Sequence, residues 1–323
     1  MTLEPGLHVV LGGGGGIGSA VARLLAEEPV ALRVVTRSNR ALSLPSRVPV
    51  AAADAIWLDT LRRACEGARV IYHCLHPTRD IGLLGPITRH VIQVAAETGA
   101  LLVAASCADV YGPADGPLDE DSPQRPVGTV ARAHARAAAA VAEAYASGRI
   151  HAVIGRAGHV YGPRVRTIWP GADVGAVLRG TPVTAIGDVD ALHSFVYVDD
   201  FARALIALGA APNAWGRVWH TPGAPPLSVR DFITLVGDAA HVEPQLRVRG
   251  RAALLLRALV IQKADALRQL RPLFERPFVV DHRRFDAAFQ FQPTPHGRAV
   301  AQTVAWRRQI DEGQRAEAEK ALR

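Results

Sequence analysis

Lysine is nearly missing from this chain. It occurs only at positions 263 and 320, both in C-terminal helical patterns, so arginine supplies 35 of the 37 basic side chains. Cysteine is scarce as well: Cys65, Cys74 and Cys107 are odd in number and lack metal-ligand spacing. That excludes a disulfide framework and a zinc site and points to a reducing, cytoplasmic compartment. No apolar run is long enough to cross a bilayer. The longest toward the C-terminal third, Ala252 to Ile261, is interrupted by Arg257 and reads as a buried helix. The N-terminus shows no basic segment followed by an apolar one and a cleavage site, so neither export nor a membrane partner is expected. The arginines are scattered and not interleaved with aromatics along one stripe, which argues against a nucleic-acid partner. A net charge of +7 still suits an anionic ligand, and 49% apolar residues suit a globular enzyme.

Glycine, by contrast, is concentrated where it carries information. Gly12, Gly15 and Gly18, with Gly16 and Ile17 among them, lie between a strand pattern at Leu7 to Leu11 and a helix pattern at Ser19 to Glu28. Without a Cβ the backbone can approach a pyrophosphate, and the helix N-terminus offers free N–H donors and a positive dipole end. The spacing predicts a dinucleotide site. The second strand pattern, Leu32 to Thr36, runs into Arg37 and Ser38 and has no acidic residue to bond the ribose hydroxyls of NAD. Arg37 suits a 2′-phosphate, so NADP is expected, with NAD as the alternative. Asp54 follows the third strand pattern, where its carboxylate can accept from an adenine amino group. The strand Val70 to Leu75 brings Leu75 and His76 to the crevice at the carboxyl ends of the strands.

Strand-like runs recur at Leu7, Leu32, Val48, Val70, Leu101 and Ala152, with helical patterns between them. This is the alternation of an α/β, doubly wound parallel-sheet Rossmann fold. The expected dinucleotide-binding domain spans 1–163 plus about 193–215. A smaller, discontinuous substrate domain takes 164–192 and 216–305, and a charged helical tail takes 306–323. The loop Gly112 to Gly128, rich in Pro, Asp and Gly, is expected to overhang the crevice as a lid.

Four motifs then stand in order along the chain: LGGGGGIG at 11–18, SCADVYG at 106–112, RAGHVYGP at 156–163 and HSFVYVDDFARA at 193–204. Together they resemble the extended short-chain dehydrogenases/reductases of the NAD-dependent epimerase/dehydratase family. The resemblance implies a Ser or Thr four residues before the VYG tyrosine, and a YxxxK helix that supplies the general acid/base and its lysine. Here the first position is Cys107, preceded by Ser106, and the aligned stretch SPQRPVGTVARAH puts Val130 at the tyrosine and His134 at the lysine. All three catalytic positions are altered, and valine cannot transfer a proton.

The same resemblance names the substitutes. Asp109 matches the place where sugar dehydratases keep an acid/base glutamate and is the first candidate for proton transfer. His134 can bond the nicotinamide ribose or act as an acid/base near neutral pH. Cys107 can serve as a nucleophile if its thiolate is stabilised, and Tyr111 and Tyr161 can each offer a phenol. His159 stands where nucleotide-sugar enzymes often have Asn, and His193 replaces an arginine that grips a substrate diphosphate. A small metabolite is therefore expected in preference to a nucleotide sugar. Asp199 and Asp200 are expected to cap the helix after them. The family also implies a homodimer through the helices holding Ile87 to Thr98 and Val130 to Ala146. Three activities fit these residues: an NADP-dependent reductase or epimerase, a non-redox lyase or isomerase, and a redox-sensing binding protein.

Overall fold

The computed structural model describes residues 3–37, 44–165, 173–249 and 273–321. Ser38 and the apolar run from Ala252 lie outside them. Seven strands form the central sheet: β1 (Leu7–Leu11), β2 (Ala31–Thr36), β3 (Val50–Ala52), β4 (Ala68–His73), β5 (Leu101–Cys107), β6 (Ala152–Ala157) and β7 (Val218–His220). Their spatial order is β3-β2-β1-β4-β5-β6-β7, and every pairing is parallel.

These segments are continuous apolar runs because helices cover both faces of a parallel sheet. Side chains alternate between the two faces. Val10, Val34, Val70, Val103 and Val153 pack into one core with helices α1 (Gly16–Leu25) and, later in the chain, Val198–Gly209. Val9, Leu11, Ile71, Leu102 and Ile154 pack into the other, under α2 (Leu58–Ala64), α3 (Leu84–Thr98) and α4 (Gly128–Ala146). Each such side chain, fully buried, contributes about 1.5–3 kcal/mol. Strand order reverses between β1 and β4, so the loops after these two strands diverge and open a crevice at their carboxyl ends.

Four expectations need correction. The seventh strand, β7, lies beyond residue 215, where the dinucleotide-binding domain was expected to end. Three residues are too few for periodicity to reveal, and only pairing with β6 makes them a strand. The expected tail from 306 is no separate unit, since one helix runs from His296 to Ala321 and packs against the helix Val229–Ala240. The loop after Gly112 is no free overhang either: Leu118 is buried, its N–H donates to Val279 O and its carbonyl accepts from Asp281 N. Asp199 and Asp200 do not cap their helix; they sit within its first turn. Asp199 pairs with Arg23 on α1, and Asp200, fully buried, accepts from the backbone and hydroxyl of Thr294.

Candidate active site

The glycine loop sits at the switch point between β1 and β4. Gly12 has φ +88°, and a Cβ there would stand 2.8 Å from Cys74 O, so both conformation and space require glycine. A Cβ on Gly18 would lie 2.3 Å from Gly12 O, which is how α1 packs so tightly on the loop. Gly14, by contrast, faces open space, with nothing within 4 Å of its Cβ position. Gly15 is the N-cap of α1 with no side-chain capping bond, and the first turn holds no acidic residue. The leading amides of a helix have no intrahelical partners. Main-chain donors at Gly16, Ile17 and Gly18 beside an open glycine surface therefore fit a dinucleotide pyrophosphate. Arg37 is exposed at the end of β2. Asp54 uses Oδ1 to accept from Ile56 N at 3.1 Å.

Leu75 and His76, just past β4, meet α4 at His134. His76 Nδ1 lies 3.0 Å from His134 Nε2. The ring centroids are 5.2 Å apart and the planes differ by 12°. Centroid separation exceeds the N···N distance by about the width of one ring, so the two imidazoles lie end to end and nearly coplanar. Burial lowers the proton affinity of both, and for His134 the charges of His76, His73 and Arg156 add to it, bringing its pKa to about 3. His134 is therefore neutral at physiological pH, and the expectation of an acid/base titrating near neutrality is corrected.

Beneath the pair, Thr88 Oγ1 donates to Leu84 O and so accepts from His73 Nε2 at 3.1 Å. A cavity of about 20 Å³ opens between His73, Thr88, Ser106 and His134, room for a single water.

The end of β5 brings the remaining candidates together. Asp109 stands on a short 3-10 turn, Ala108–Tyr111, with its side chain 27% exposed. Desolvation raises its pKa to about 6, so the carboxyl exchanges protons close to neutrality. Cys107 behaves oppositely to the nucleophile expectation: burial, with the Asp109 charge behind it, drives the thiol far up and keeps it protonated.

Tyr111 is 1% exposed and its hydroxyl is occupied twice. Arg156 Nη1 donates to it at 2.6 Å, and it donates to His220 Nε2 at 2.7 Å, because His220 Nδ1 is engaged with Asp281 O. Ser106, Arg156 and His220 lie in register across β5, β6 and β7, a buried polar row at the carboxyl edge of the sheet. Among the described residues Arg156 Nε and Nη2 and Ser106 Oγ have no partner. Leaving a buried guanidinium incompletely paired costs on the order of several kcal/mol. Arg156 and His220 were not singled out as functional in the sequence. The one available signal for Arg156 is a charge inside an otherwise apolar strand; for His220 there is none.

Tyr161 is buried as well. Its hydroxyl meets His296 Nδ1 at 3.0 Å within a cluster of Phe195, Tyr197 and Phe232, and burial raises its pKa strongly. His159 is buried against Phe278, with Nδ1 4.0 Å from Asp109 Oδ1. Burial holds His159 well below its ordinary pKa and His193 at about 4, so both rings are neutral. The geometry thus gathers Asp109 and His159, and separately His76 and His134, while it sequesters both phenols.

The family profile described as NAD dependent epimerase/dehydratase matches residues 8–219, which include the glycine loop, the β5 turn and the His134 helix. The chain belongs to this epimerase/dehydratase family. Solved structures with the same fold include the epimerase Mth375 of Methanothermobacter thermautotrophicus, at TM-score 0.81 and 16% identity, covering 97% of this chain and 95% of that one. A UDP-glucose 4-epimerase of Thermus thermophilus in complex with NAD aligns at TM-score 0.77 and 20% identity over 93% and 99% of the two chains. The dTDP-glucose 4,6-dehydratase DesIV of Streptomyces venezuelae, with NAD and TYD bound, aligns at 0.76 and 21% over 94% and 97%. No curated protein matches the sequence. Val130 and His134, which the sequence resemblance sets at the Tyr and Lys positions, both lie on α4.

Proposed function

We propose that this chain is an NADP-binding oxidoreductase of the epimerase/reductase type, acting on a small metabolite, in which Asp109 takes over proton transfer. The observation that carries the reading is the Asp109 carboxyl, held near a pKa of about 6 at the end of β5 while the Cys107 thiol stays protonated and both candidate phenols are buried. A general acid or base works best when its pKa lies near the operating pH.

The main-chain amides of Gly16, Ile17 and Gly18, just past Gly15, hold the pyrophosphate, Arg37 pairs with the 2′-phosphate, Asp54 accepts from the adenine, and His134 bonds the nicotinamide ribose. The nicotinamide ring, when bound, supplies hydride chemistry. Asp109 gives or takes the accompanying proton at its carboxylate, and His159, 4.0 Å away, is neutral and so does not hold that carboxyl in an ion pair. The relatives hold NAD, whereas here the exposed Arg37 at the end of β2 supports the phosphorylated cofactor. A neutral, buried His193 offers no cation to a diphosphate, which supports a small substrate. The reading includes a cytoplasmic homodimer through α3 and α4.

The test is to offer NADPH with a panel of small carbonyl compounds and follow nicotinamide absorbance. Consumption of NADPH, lost by about 10²- to 10⁴-fold in Asp109→Asn, supports the reading. Turnover without any change in absorbance replaces it with a lyase or isomerase, and binding without any turnover replaces it with a redox sensor.

A further inference from the structure

We propose that His76 and His134 form a two-imidazole proton relay connecting the interior cleft to solvent. The role rests on the oxidoreductase reading, which needs protons to enter and leave the site. Three observations carry it. The facing nitrogens are 3.0 Å apart, and the rings lie end to end in nearly one plane, so the hydrogen between them can cross along the line of the bond. His76 is exposed, whereas His134 is half-buried and lines the cavity with His73, Thr88 and Ser106. The outer ring of the pair therefore reaches solvent, and the inner ring, less exposed, borders the cavity.

The surroundings keep the pair free to relay. His73 on β4 is tied to Thr88 on α3, Ser106 on β5 is a hydroxyl, and Arg156 on β6 is the fixed charge acting on His134. Among the described residues no carboxylate acts on either ring. An acidic neighbour would hold one imidazole permanently charged and stop the relay. Facing nitrogens at this distance admit one hydrogen, since two N–H groups cannot point at each other.

Transfer balances simply. With His134 donating from Nε2 to His76 Nδ1, a proton arriving at His134 Nδ1 lets the shared hydrogen cross to His76 Nδ1, and His76 Nε2 releases its own hydrogen to water. One proton enters and one leaves. The reverse sequence brings a proton in, and the two rings exchange tautomers together.

Ring-nitrogen NMR of the free, full-length chain at neutral pH tests this without a substrate. Expected are a coupling across the His76 Nδ1 to His134 Nε2 hydrogen bond and paired tautomers in the two rings. His76→Phe, at an exposed position, should slow solvent exchange of the His134 ring hydrogen severalfold, and His76→Gln should do the same. Rings with no coupling, or exchange at His134 as fast in both variants as in the parent chain, would overturn the relay. Because no cofactor is present, these outcomes are separate from a failure to bind NADPH, which would instead remove the oxidoreductase reading.

Discussion

The hydroxyl of Tyr111 lies 2.7 Å from Nε2 of His220, although the two residues are 109 positions apart in the chain. That contact, together with Arg156 Nη1 at 2.6 Å, turns a residue of the VYG motif into a buried structural junction. The phenol donates its only proton to a neutral imidazole and accepts from a guanidinium, so it has no free proton for a substrate.

Replacing Tyr111 with Phe removes the acceptor of Arg156 Nη1 and the donor to His220 Nε2 in one step. Stability should fall by about 2–3 kcal/mol, read as a lower urea midpoint, because buried polar groups lose their partners. Dinucleotide binding should persist. Abolished binding with unchanged stability would place the phenol in the cofactor site after all.

The glycines of the loop should separate into two classes. Gly18→Ala puts a Cβ 2.3 Å from Gly12 O, and Gly12→Ala combines φ +88° with a 2.8 Å approach to Cys74 O, so both should lower thermal stability and affinity together. Gly14→Ala meets nothing within 4 Å and should fold as the parent does. It should lose affinity alone, since its Cβ projects from the open loop surface. Calorimetric titration beside thermal melts distinguishes the two outcomes.

Arg37→Glu should remove the preference for NADPH over NADH. A charge-assisted bond contributes about 1.5–3 kcal/mol, roughly 10- to 100-fold in affinity. Equal dissociation constants for the two cofactors in the parent chain would overturn the assignment of Arg37 before any mutation is made.

Asp109 should make the protein less stable as pH rises. Its pKa is raised from 3.8 to about 6, so between these values the folded chain binds a proton that the unfolded chain has lost. The benefit is full below about pH 4 and is lost as pH rises through 6. Asp109→Asn should therefore raise the melting temperature at pH 7–8 relative to the parent, and the gap should shrink toward pH 4. The effect is on the order of 2 kcal/mol once partial exposure is allowed for. A gap that widens in acid would contradict the desolvation account.

Histidines should act in the opposite direction. His73 and His193 are held at about 4 and His134 at about 3, each chiefly by burial. Below about pH 6.5 the unfolded chain takes up protons at these sites and the folded chain does not, so stability falls as pH drops toward 4. With three such groups against one Asp109, denaturant midpoints measured from pH 7 to 4.5 should decline. His73→Gln should flatten part of that slope.

Much of the fold was legible because its causes are local. The loop at 11–18 needs glycine for reasons of backbone conformation and contact, and six of the seven sheet strands show as apolar runs between helical patterns. The seventh, Val218–His220, is too short to announce itself and exists by pairing with β6. At the site, His76 was named from its place after the strand Val70 to Leu75 and His134 from motif position, but 58 residues separate them and no sequence pattern states that their rings meet. Asp109 was named for the same reason, and its raised pKa depends on what buries it.

The order of residues alone thus determined the glycine loop before α1 and the placing of Val130 and His134 on α4, since a missing Cβ or a missing phenol is a property of one position. Tertiary structure decided which of the remaining ionisable groups are free to act. It buried Tyr111 and Tyr161, silenced Cys107, left Asp109 near neutrality and set two imidazoles in line. Desolvation and hydrogen-bond partnership arise from residues distant in the chain, and proton affinity follows from them.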